Sequence, residues 1–209
     1  MKKVMVGFLF ILGWNTLAGE VTIGRDPHPA ASAVKNTLQR GLRIVELKSD
    51  SEKKTQLCQL IKSKFSNVTI GNAFLGKYRN LSRDQAGIDK FKAMIPSILA
   101  TRLMDGLDQG AGGRVEVDPG VKTVSGNLLE VSTRLYNSRD QAYRVAILVK
   151  SSGYRIVDGV YMGFSAVNYL AREYQKALDR EYNKNPNSSK PVSVLVRQIR
   201  SENGYVNCG

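Results

Sequence analysis

The chain has 209 residues, 42% of them hydrophobic, so one domain can bury a core without help from metal ions. Its 31 lysines and arginines against 18 acidic residues give a formal net charge of +13, which disfavours cationic partners and favours nucleic acid, anionic membrane surfaces or acidic lipid head groups. Charges that only maintain solubility are the simpler alternative, because no run of five like charges occurs.

The first 18 residues have the pattern of a secretory signal. Lys2 and Lys3 precede an apolar run over residues 4–14, which is too short to span a bilayer. Small residues at Thr16 and Ala18 then favour cleavage after Ala18. We therefore predict a signal peptide over residues 1–18 and a periplasmic mature protein, with a retained membrane anchor as the alternative. Export argues against nucleic acid as the anionic partner.

Helical spacing of apolar residues dominates the next part of the chain. It predicts a helix over residues 30–47, a second helix capped by Ser49, and a short third helix that ends near Tyr78. A further helix is predicted to open at Ser82, which begins a capping box. Pro96 lies inside that helical pattern and predicts a kink or a split.

After a glycine-rich break at residues 109–113, the apolar period changes to two, as is typical of strands. The alternation predicts successive antiparallel strands near residues 115–117, 121–124, 129–135, 143–149 and 154–164. Ser165 then caps a long amphipathic helix, and Pro191 opens a last one. This order predicts an α+β class, with residues 19–209 as a single domain and a helical subdomain over residues 30–108 as an alternative division.

The chain has two cysteines, Cys58 and Cys208. An oxidising compartment permits a disulfide between them, which would attach the C-terminal tail to the N-terminal half. At this loop length the chain-entropy stabilisation would be about 5 kcal/mol. The sequence alone leaves the alternative of two free thiols open, because the bond geometry is not readable from it.

Few residues support covalent chemistry. His28 is the only histidine and no Cys-x-x-Cys pair occurs, so neither a metal site nor a Ser-His triad is expected. Ser165 follows Gly163 and Phe164 as in a nucleophile elbow, but Val167 stands where that motif needs glycine. Asp158 alternates with apolar residues, so it is either an acid with a raised pKa in a pocket or the partner of an arginine or a backbone donor.

The apolar faces of the predicted sheet and helices are more informative about function than these isolated polar residues. The predicted sheet has one apolar face, and the helices that open at Ser82 and Ser165 each have one too. A curved sheet closed by two such helices forms a cone. Composition does not distinguish a cone filled by its own side chains from one with an apolar cavity.

Three stretches in order resemble the MlaC family, periplasmic phospholipid-binding proteins also called toluene-tolerance auxiliary components. Residues 74–79 (FLGKYR) and 81–85 (LSRDQ), followed by a helix carrying Phe91, resemble the family's LG-x-Y segment, polar turn and Phe-bearing helix. Residues 154–158 (YRIVD) are similar to its aromatic-x-x-x-Asp strand, and residues 163–165 (GFS) to the step before its long helix.

The resemblance implies a function in lipid transport and outer-membrane lipid asymmetry. Members of the family carry phospholipid between an inner-membrane ABC transporter complex and an outer-membrane lipoprotein complex. Their fold resembles a nuclear-transport-factor-like cone with added helices. By resemblance, this chain is expected to be a non-enzymatic carrier without catalytic residues, metal or cofactor. Its expected partners are phospholipid as non-covalent cargo, those two membrane complexes and, transiently, the membrane surface.

We predict that the cavity is lined by apolar residues of one helical wall, one sheet wall and the covering helix. They are Phe74, Leu75, Tyr78, Phe91, Ile95, Ile98, Leu99, Leu103, Leu135, Val145, Ile147, Val149, Ile156, Val160, Phe164, Val167, Leu170, Tyr174 and Leu178. Two alternatives remain at this point. One is a cavity enzyme of the same fold with Asp158 as acid or base, and the other is an adaptor with a filled core.

Overall fold

The structure, a computed structural model, describes residues 20–107, 114–136, 140–187 and 189–209. The signal peptide predicted over residues 1–18 and the glycine-rich break at 109–113 lie outside the described residues, as do residues 137–139 of a predicted turn. Within the described ranges, no helix combines the length and apolar character that a membrane crossing requires.

The described part of the chain contains seven α-helices. They are α1 (Pro29–Val45), α2 (Asp50–Lys64), α3 (Asn67–Leu75), α4 (Gln85–Ala93), α5 (Ile95–Leu107), α6 (Ala166–Lys184) and α7 (Pro191–Arg200). Two predicted caps are confirmed: the Oγ of Ser49 accepts the Glu52 N–H at 3.3 Å, and the Oγ of Ser165 accepts the Asn168 N–H at 2.9 Å. Each satisfies a first-turn donor that the helix itself leaves unpaired.

The helix predicted to open at Ser82 is split, as Pro96 indicated. α4 ends at Ala93 and α5 begins at Ile95, because a proline ring has no N–H for the helical ladder and clashes with the preceding turn. The predicted cap at Ser82 is wrong. Residues Ser82–Asp84 form a short 3₁₀ turn without a side-chain cap, and the helix starts only at Gln85.

The seven strands of the described chain form one mixed, mostly antiparallel sheet. They are β1 (Val21–Ile23), β2 (Val115–Val117), β3 (Lys122–Ser125), β4 (Leu128–Tyr136), β5 (Ala142–Lys150), β6 (Ile156–Tyr161) and β7 (Phe164–Ser165). Their order is β1-β2-β4-β5-β6-β7, with β3 paired to β4. β1 pairs in parallel with β2, which corrects the prediction of a purely antiparallel meander. β1 has only three residues, too few for an alternation of apolar and polar residues to be recognised in the sequence.

The strand predicted over residues 154–164 is in fact a bulged strand followed by a tight hairpin. Asp158 lies opposite Leu148 but Ile156 lies opposite Val149, so Val157 is an extra residue in β6. Tyr161 then pairs with Phe164, which leaves a two-residue turn at Met162 and Gly163. Beyond the bulge the alternation is reversed, because one added residue moves every later side chain to the other face.

Two apolar clusters make up the core. One cluster is formed mainly by the helices α2, α3, α4, α5, α6 and α7. It contains the rings of Phe74, Phe91 and Tyr174, which pack against one another. The other joins α1 to the buried face of the sheet, with Val131, Val145, Ile147 and Val149 among its members. Phe65, at the end of α2, packs against both clusters. The molecule therefore has a helical half and a sheet half with a seam between them.

The C-terminal tail is bound to the helical half. Cys58 on α2 and Cys208 form a disulfide with a Cα–Cα distance of 5.4 Å, inside the usual range for such bonds. Two buried hydroxyls of α5 accept backbone N–H groups of the tail: Ser97 accepts from Cys208 at 3.0 Å and Thr101 from Val206 at 2.9 Å. These bonds satisfy buried donors that would otherwise lack partners.

Candidate functional site

A cavity of about 480 Å³ lies along the seam between the two clusters. Its walls are the inner face of α1, the start of α6, and parts of α2, α5 and the sheet. The lining residues are Thr37, Leu38, Gly41, Leu42, Ile44, Leu57, Leu60, Phe65, Ile70, Leu99, Arg102, Leu103, Val115, Thr133, Leu135, Val145, Ile147, Ile156, Val157, Asp158, Gly159, Gly163, Phe164, Ser165, Ala166, Asn168, Tyr169, Leu170 and Arg172. The volume lies within the range of roughly 300–1,000 Å³ typical of small-molecule sites.

The interior is apolar because each surrounding element contributes aliphatic side chains to it. Ile44, Leu57 and Leu60 come from the two N-terminal helices, and Val145 and Ile147 from the middle of the sheet. Thr133 also lines it, but its hydroxyl donates to the Val145 carbonyl oxygen at 2.8 Å, so its hydrogen-bonding capacity is used within the sheet. Such a surface suits a hydrocarbon ligand.

The solvent-exposed lining residues identify the mouth of the cavity. Gly163, Phe164, Asn168 and Arg172 are exposed, and all of them belong to the β6–β7 hairpin or the first turns of α6. Asn168 and Arg172 are four residues apart and therefore share one face of α6. The cavity thus opens beside the hairpin, and its apolar walls lead to a rim that carries polar and cationic side chains.

Arg102 of α5 is a half-buried cation in the lining. Burial acts to lower its pKa, but Tyr174 and the nearby carboxylate of Glu202 raise the pKa overall. The Arg102 Nη2 lies 3.9 Å from the Glu202 Oε2. Arg102 therefore remains charged, and its charge is partly balanced by the C-terminal tail.

Asp158 serves as a second capping group for α6. Its Oδ1 accepts the N–H of Gly159 at 2.8 Å and the N–H of Val167 at 3.0 Å. Burial raises the pKa of this carboxyl, and hydrogen bonds from Ser165 and the backbone oppose that rise. The sequence left two roles open for Asp158, an acid in a pocket or the partner of an arginine or a backbone donor. The geometry supports the second, a carboxylate bound to backbone donors at a helix N-terminus.

Eight of the residues predicted to line the cavity are at its wall. They are Leu99, Leu103, Leu135, Val145, Ile147, Ile156, Phe164 and Leu170. They come from α5, β4, β5, β6, β7 and α6, so the structure brings together both walls that the apolar pattern indicated.

The other predicted lining residues are not at the wall of this cavity. They are Phe74, Leu75, Tyr78, Phe91, Ile95, Ile98, Val149, Val160, Val167, Tyr174 and Leu178. The ring of Tyr174 stacks on Phe74 at 5.1 Å between centroids and meets Phe91 edge-on at 5.9 Å, so these aromatic rings fill the helical half. The Tyr78 hydroxyl donates to Asp179 at 2.7 Å. Val160 lies opposite Ala146, on the other face of the sheet, because of the bulge at Val157.

Sequence reasoning missed the contribution of α1 and α2. Leu38, Gly41 and Leu42 of α1 and Leu57 and Leu60 of α2 face the cavity. The apolar spacing of both helices was visible in sequence, but spacing indicates that a helix face is buried and not what it is buried against. The long separation between α1 and β4 along the chain left no local signal for their contact.

Comparison with solved structures finds the same fold in a lipid-binding protein. The phospholipid-binding protein from Ralstonia solanacearum, solved in complex with a phospholipid, matches with a TM-score of 0.60 and 13% sequence identity. The match covers 82% of this chain and 96% of that one. No protein-family model matches the chain, and no curated protein matches its sequence. The chain therefore shares the α+β fold of a protein that binds phospholipid.

Proposed function

We propose that this protein is a lipid carrier that holds phospholipid acyl chains in the seam cavity without covalent chemistry. The observation that carries the proposal is the predominantly apolar cavity, open at one end beside polar and cationic residues. The shared fold with a phospholipid-binding protein supports the same reading. Acyl chains would lie against the aliphatic walls, and the phosphate would stay at the mouth, near Arg172 and Arg102.

The free energies involved favour a cavity that is occupied by an acyl chain. An apolar cavity that is open to solvent leaves its walls either without packing partners or in contact with water, and both are unfavourable. Withdrawing a sixteen-carbon chain from water contributes up to roughly 12 kcal/mol, at about 0.8 kcal/mol per CH₂ group. An acyl chain therefore stabilises the fold that encloses it.

The transport role follows by resemblance to the MlaC family and is part of the proposal. The protein would act in the periplasm and move phospholipid between an inner-membrane ABC transporter complex and an outer-membrane lipoprotein complex. It would contact membrane surfaces transiently, and the cone shape of the family would apply to it. A carrier is required there because a phospholipid crosses an aqueous gap only when its acyl chains are shielded from water.

The adaptor alternative requires a filled core, which the cavity contradicts. The enzyme alternative requires Asp158 to act on a ligand, whereas its Oδ1 is engaged by two backbone N–H groups. Native mass spectrometry of the purified protein, followed by organic extraction, tests the carrier proposal directly. We expect bound phospholipid, and its absence after incubation with detergent micelles that contain phospholipid would contradict the proposal.

Gly41 offers a site-specific test of the cavity. A Cβ built on this α1 residue has its nearest neighbour, the Leu60 Cδ2, at 3.9 Å, so there is room for a larger side chain. In Gly41→Phe the ring would occupy cavity volume that an acyl chain needs, and a loss of about 1.4 kcal/mol in binding corresponds to a roughly tenfold lower lipid affinity. Lipid content per protein, measured after extraction, checks this.

Gly41→Ala is the matched control. It adds one methyl group and raises helix propensity by about 1 kcal/mol, so stability should rise while lipid content stays unchanged. Equal lipid content in the folded Phe variant and the Ala variant would show that lipid does not occupy the cavity near α1.

A further inference from the structure

The tip of the β6–β7 hairpin exposes two large apolar side chains that are two residues apart in the chain. Met162 is 77% exposed and Phe164 is 66% exposed. The other large apolar residues with high exposure among the described residues are Val68 and Val124, which lie on α3 and β3. Only Phe164 among these four lines the cavity, so the apolar tip stands at its mouth.

The backbone at this tip is unfavourable for the residue that occupies it. Met162 has φ of 49° and Gly163 has φ of 81°, so both central residues of the turn are in the left-handed region. Such two-residue hairpin turns favour Asn-Gly, because asparagine and glycine tolerate positive φ. A long apolar side chain at the first position is both strained and exposed to water, and neither packing nor turn chemistry accounts for it.

The charge around the mouth complements an anionic surface. Arg172 is exposed on the cavity rim and Arg102 lines the cavity, and without Lys2 and Lys3 of the predicted signal peptide the chain still has 29 lysines and arginines against 18 acidic residues. An apolar tip near an exposed cation is an arrangement with which interfacial segments enter the head-group region of an anionic bilayer. The acyl chains of that bilayer would then face the opening of the cavity.

We propose that Met162 and Phe164 insert into the surface of an anionic phospholipid bilayer and place the cavity mouth against it for lipid exchange. This inference rests on the proposed carrier function and assigns its membrane contact to particular residues. The hairpin has a two-residue turn and its tip is already exposed, so insertion requires no refolding of the chain. The polar rim formed by Asn168 and Arg172 would remain at head-group level.

Flotation with vesicles of equal parts phosphatidylethanolamine and phosphatidylglycerol tests the contact. Met162→Asp removes an inserted apolar side chain and adds a negative charge, so the vesicle-bound fraction should fall about tenfold. Val68→Asp is the matched control, since Val68 is 65% exposed but does not line the cavity, and it should float like the unaltered protein.

Met162→Asn separates membrane binding from folding. Asparagine suits the positive φ of this turn, so the midpoint of thermal unfolding should rise while flotation falls several-fold. Uptake of phospholipid from detergent micelles, which requires no bilayer contact, should be unchanged in both Met162 variants because Met162 is not a lining residue.

Three outcomes would overturn the inference. The first is failure of the unaltered protein to float, and the second is flotation of Met162→Asp at the unaltered level. The third is a binding defect of the Met162 variants with native membranes but not with lipid vesicles, which would indicate a protein partner. Failure to take up lipid from micelles would contradict the carrier function itself, and it is recorded separately from flotation.

Discussion

Asp158 illustrates how a single residue can suggest catalysis from sequence and serve structure instead. Asp158 is a lining residue of the cavity, but its Oδ1 accepts two backbone N–H groups, one of which belongs to the first turn of α6. A carboxylate at this position is favoured by the positive end of the helix dipole. Burial nevertheless raises the pKa of Asp158, so the ionised form is less favoured there than in water.

The raised pKa predicts a pH dependence of stability. A carboxyl whose pKa is higher in the folded than in the unfolded state binds protons more readily when folded, so stability falls as pH rises from the unfolded value of 3.8 through the folded value. In Asp158→Asn this decrease should be absent, because the amide oxygen still accepts the N–H groups but does not titrate. Thermal unfolding between pH 4 and about pH 7 measures the difference.

Asp158→Ala provides the contrast. Loss of the accepting oxygen should cost about 1–2 kcal/mol at every pH, as for other helix caps. If the Asn variant showed the same pH profile as the unaltered protein, another group would be responsible for it.

At the scale of elements, α4 and α7 are joined by a buried carboxylate rather than by apolar contact alone. Asp84 precedes α4, and its Oδ2 accepts the N–H groups of Val192 at 2.7 Å and Ser193 at 3.0 Å. The Ser193 hydroxyl donates to its other oxygen. α7 has no capping side chain of its own at Lys190, so Asp84 caps it from a distant part of the chain.

Gly87 permits this arrangement. A Cβ at this α4 position would lie 2.7 Å from the backbone N of Ser193 and 2.4 Å from the Asp84 Oδ1. Any side chain larger than hydrogen would therefore force the two helices apart, so the absence of a side chain at Gly87 allows their close approach.

Substitution at Asp84 should destabilise the helical half. Asp84→Ala leaves buried donors of α7 without acceptors, and we expect a loss of about 3 kcal/mol in the free energy of unfolding, measured by urea denaturation. Asp84→Asn should lose less, since its oxygen can still accept from the backbone and its amide can donate to the Ser193 hydroxyl. Equal losses in the two variants would contradict the capping role.

At the scale of the whole molecule, the two core clusters and the C-terminal tail decide stability together. The tail crosses back to α2 and α5 through the Cys58–Cys208 disulfide and the hydroxyls of Ser97 and Thr101. Because 150 residues separate the two cysteines, the bond restricts a large part of the unfolded chain.

Removal of the disulfide should therefore lower stability without unfolding the tail locally. Combined Cys58→Ala and Cys208→Ala substitutions should cost about 2–5 kcal/mol in urea denaturation. Reductant should lower the unaltered protein to a similar midpoint and should leave the variant unchanged. A midpoint of the unaltered protein that does not respond to full reduction would show that the bond contributes no stability.

Local interactions determined what the sequence could reveal. The caps at Ser49 and Ser165 and the break at Pro96 depend on contacts within four residues, and the structure confirms each of them. The alternation of β4 and β5 similarly indicated their buried faces, including Val145 and Ile147. The α+β class and the placement of eight predicted residues at the cavity wall follow from these short-range patterns.

Only the tertiary structure decided where apolar space remains unfilled. Phe74, Phe91 and Tyr174 have the same helical spacing as lining residues, but their rings pack together, whereas Leu38 and Leu42 of α1 face the cavity. The extra residue at Val157 moved Val160 to the opposite face. Periodicity indicates that a side chain is buried. Whether a cavity remains depends on how far apart the two core clusters lie, and that distance is set by packing between residues that are far apart in the chain.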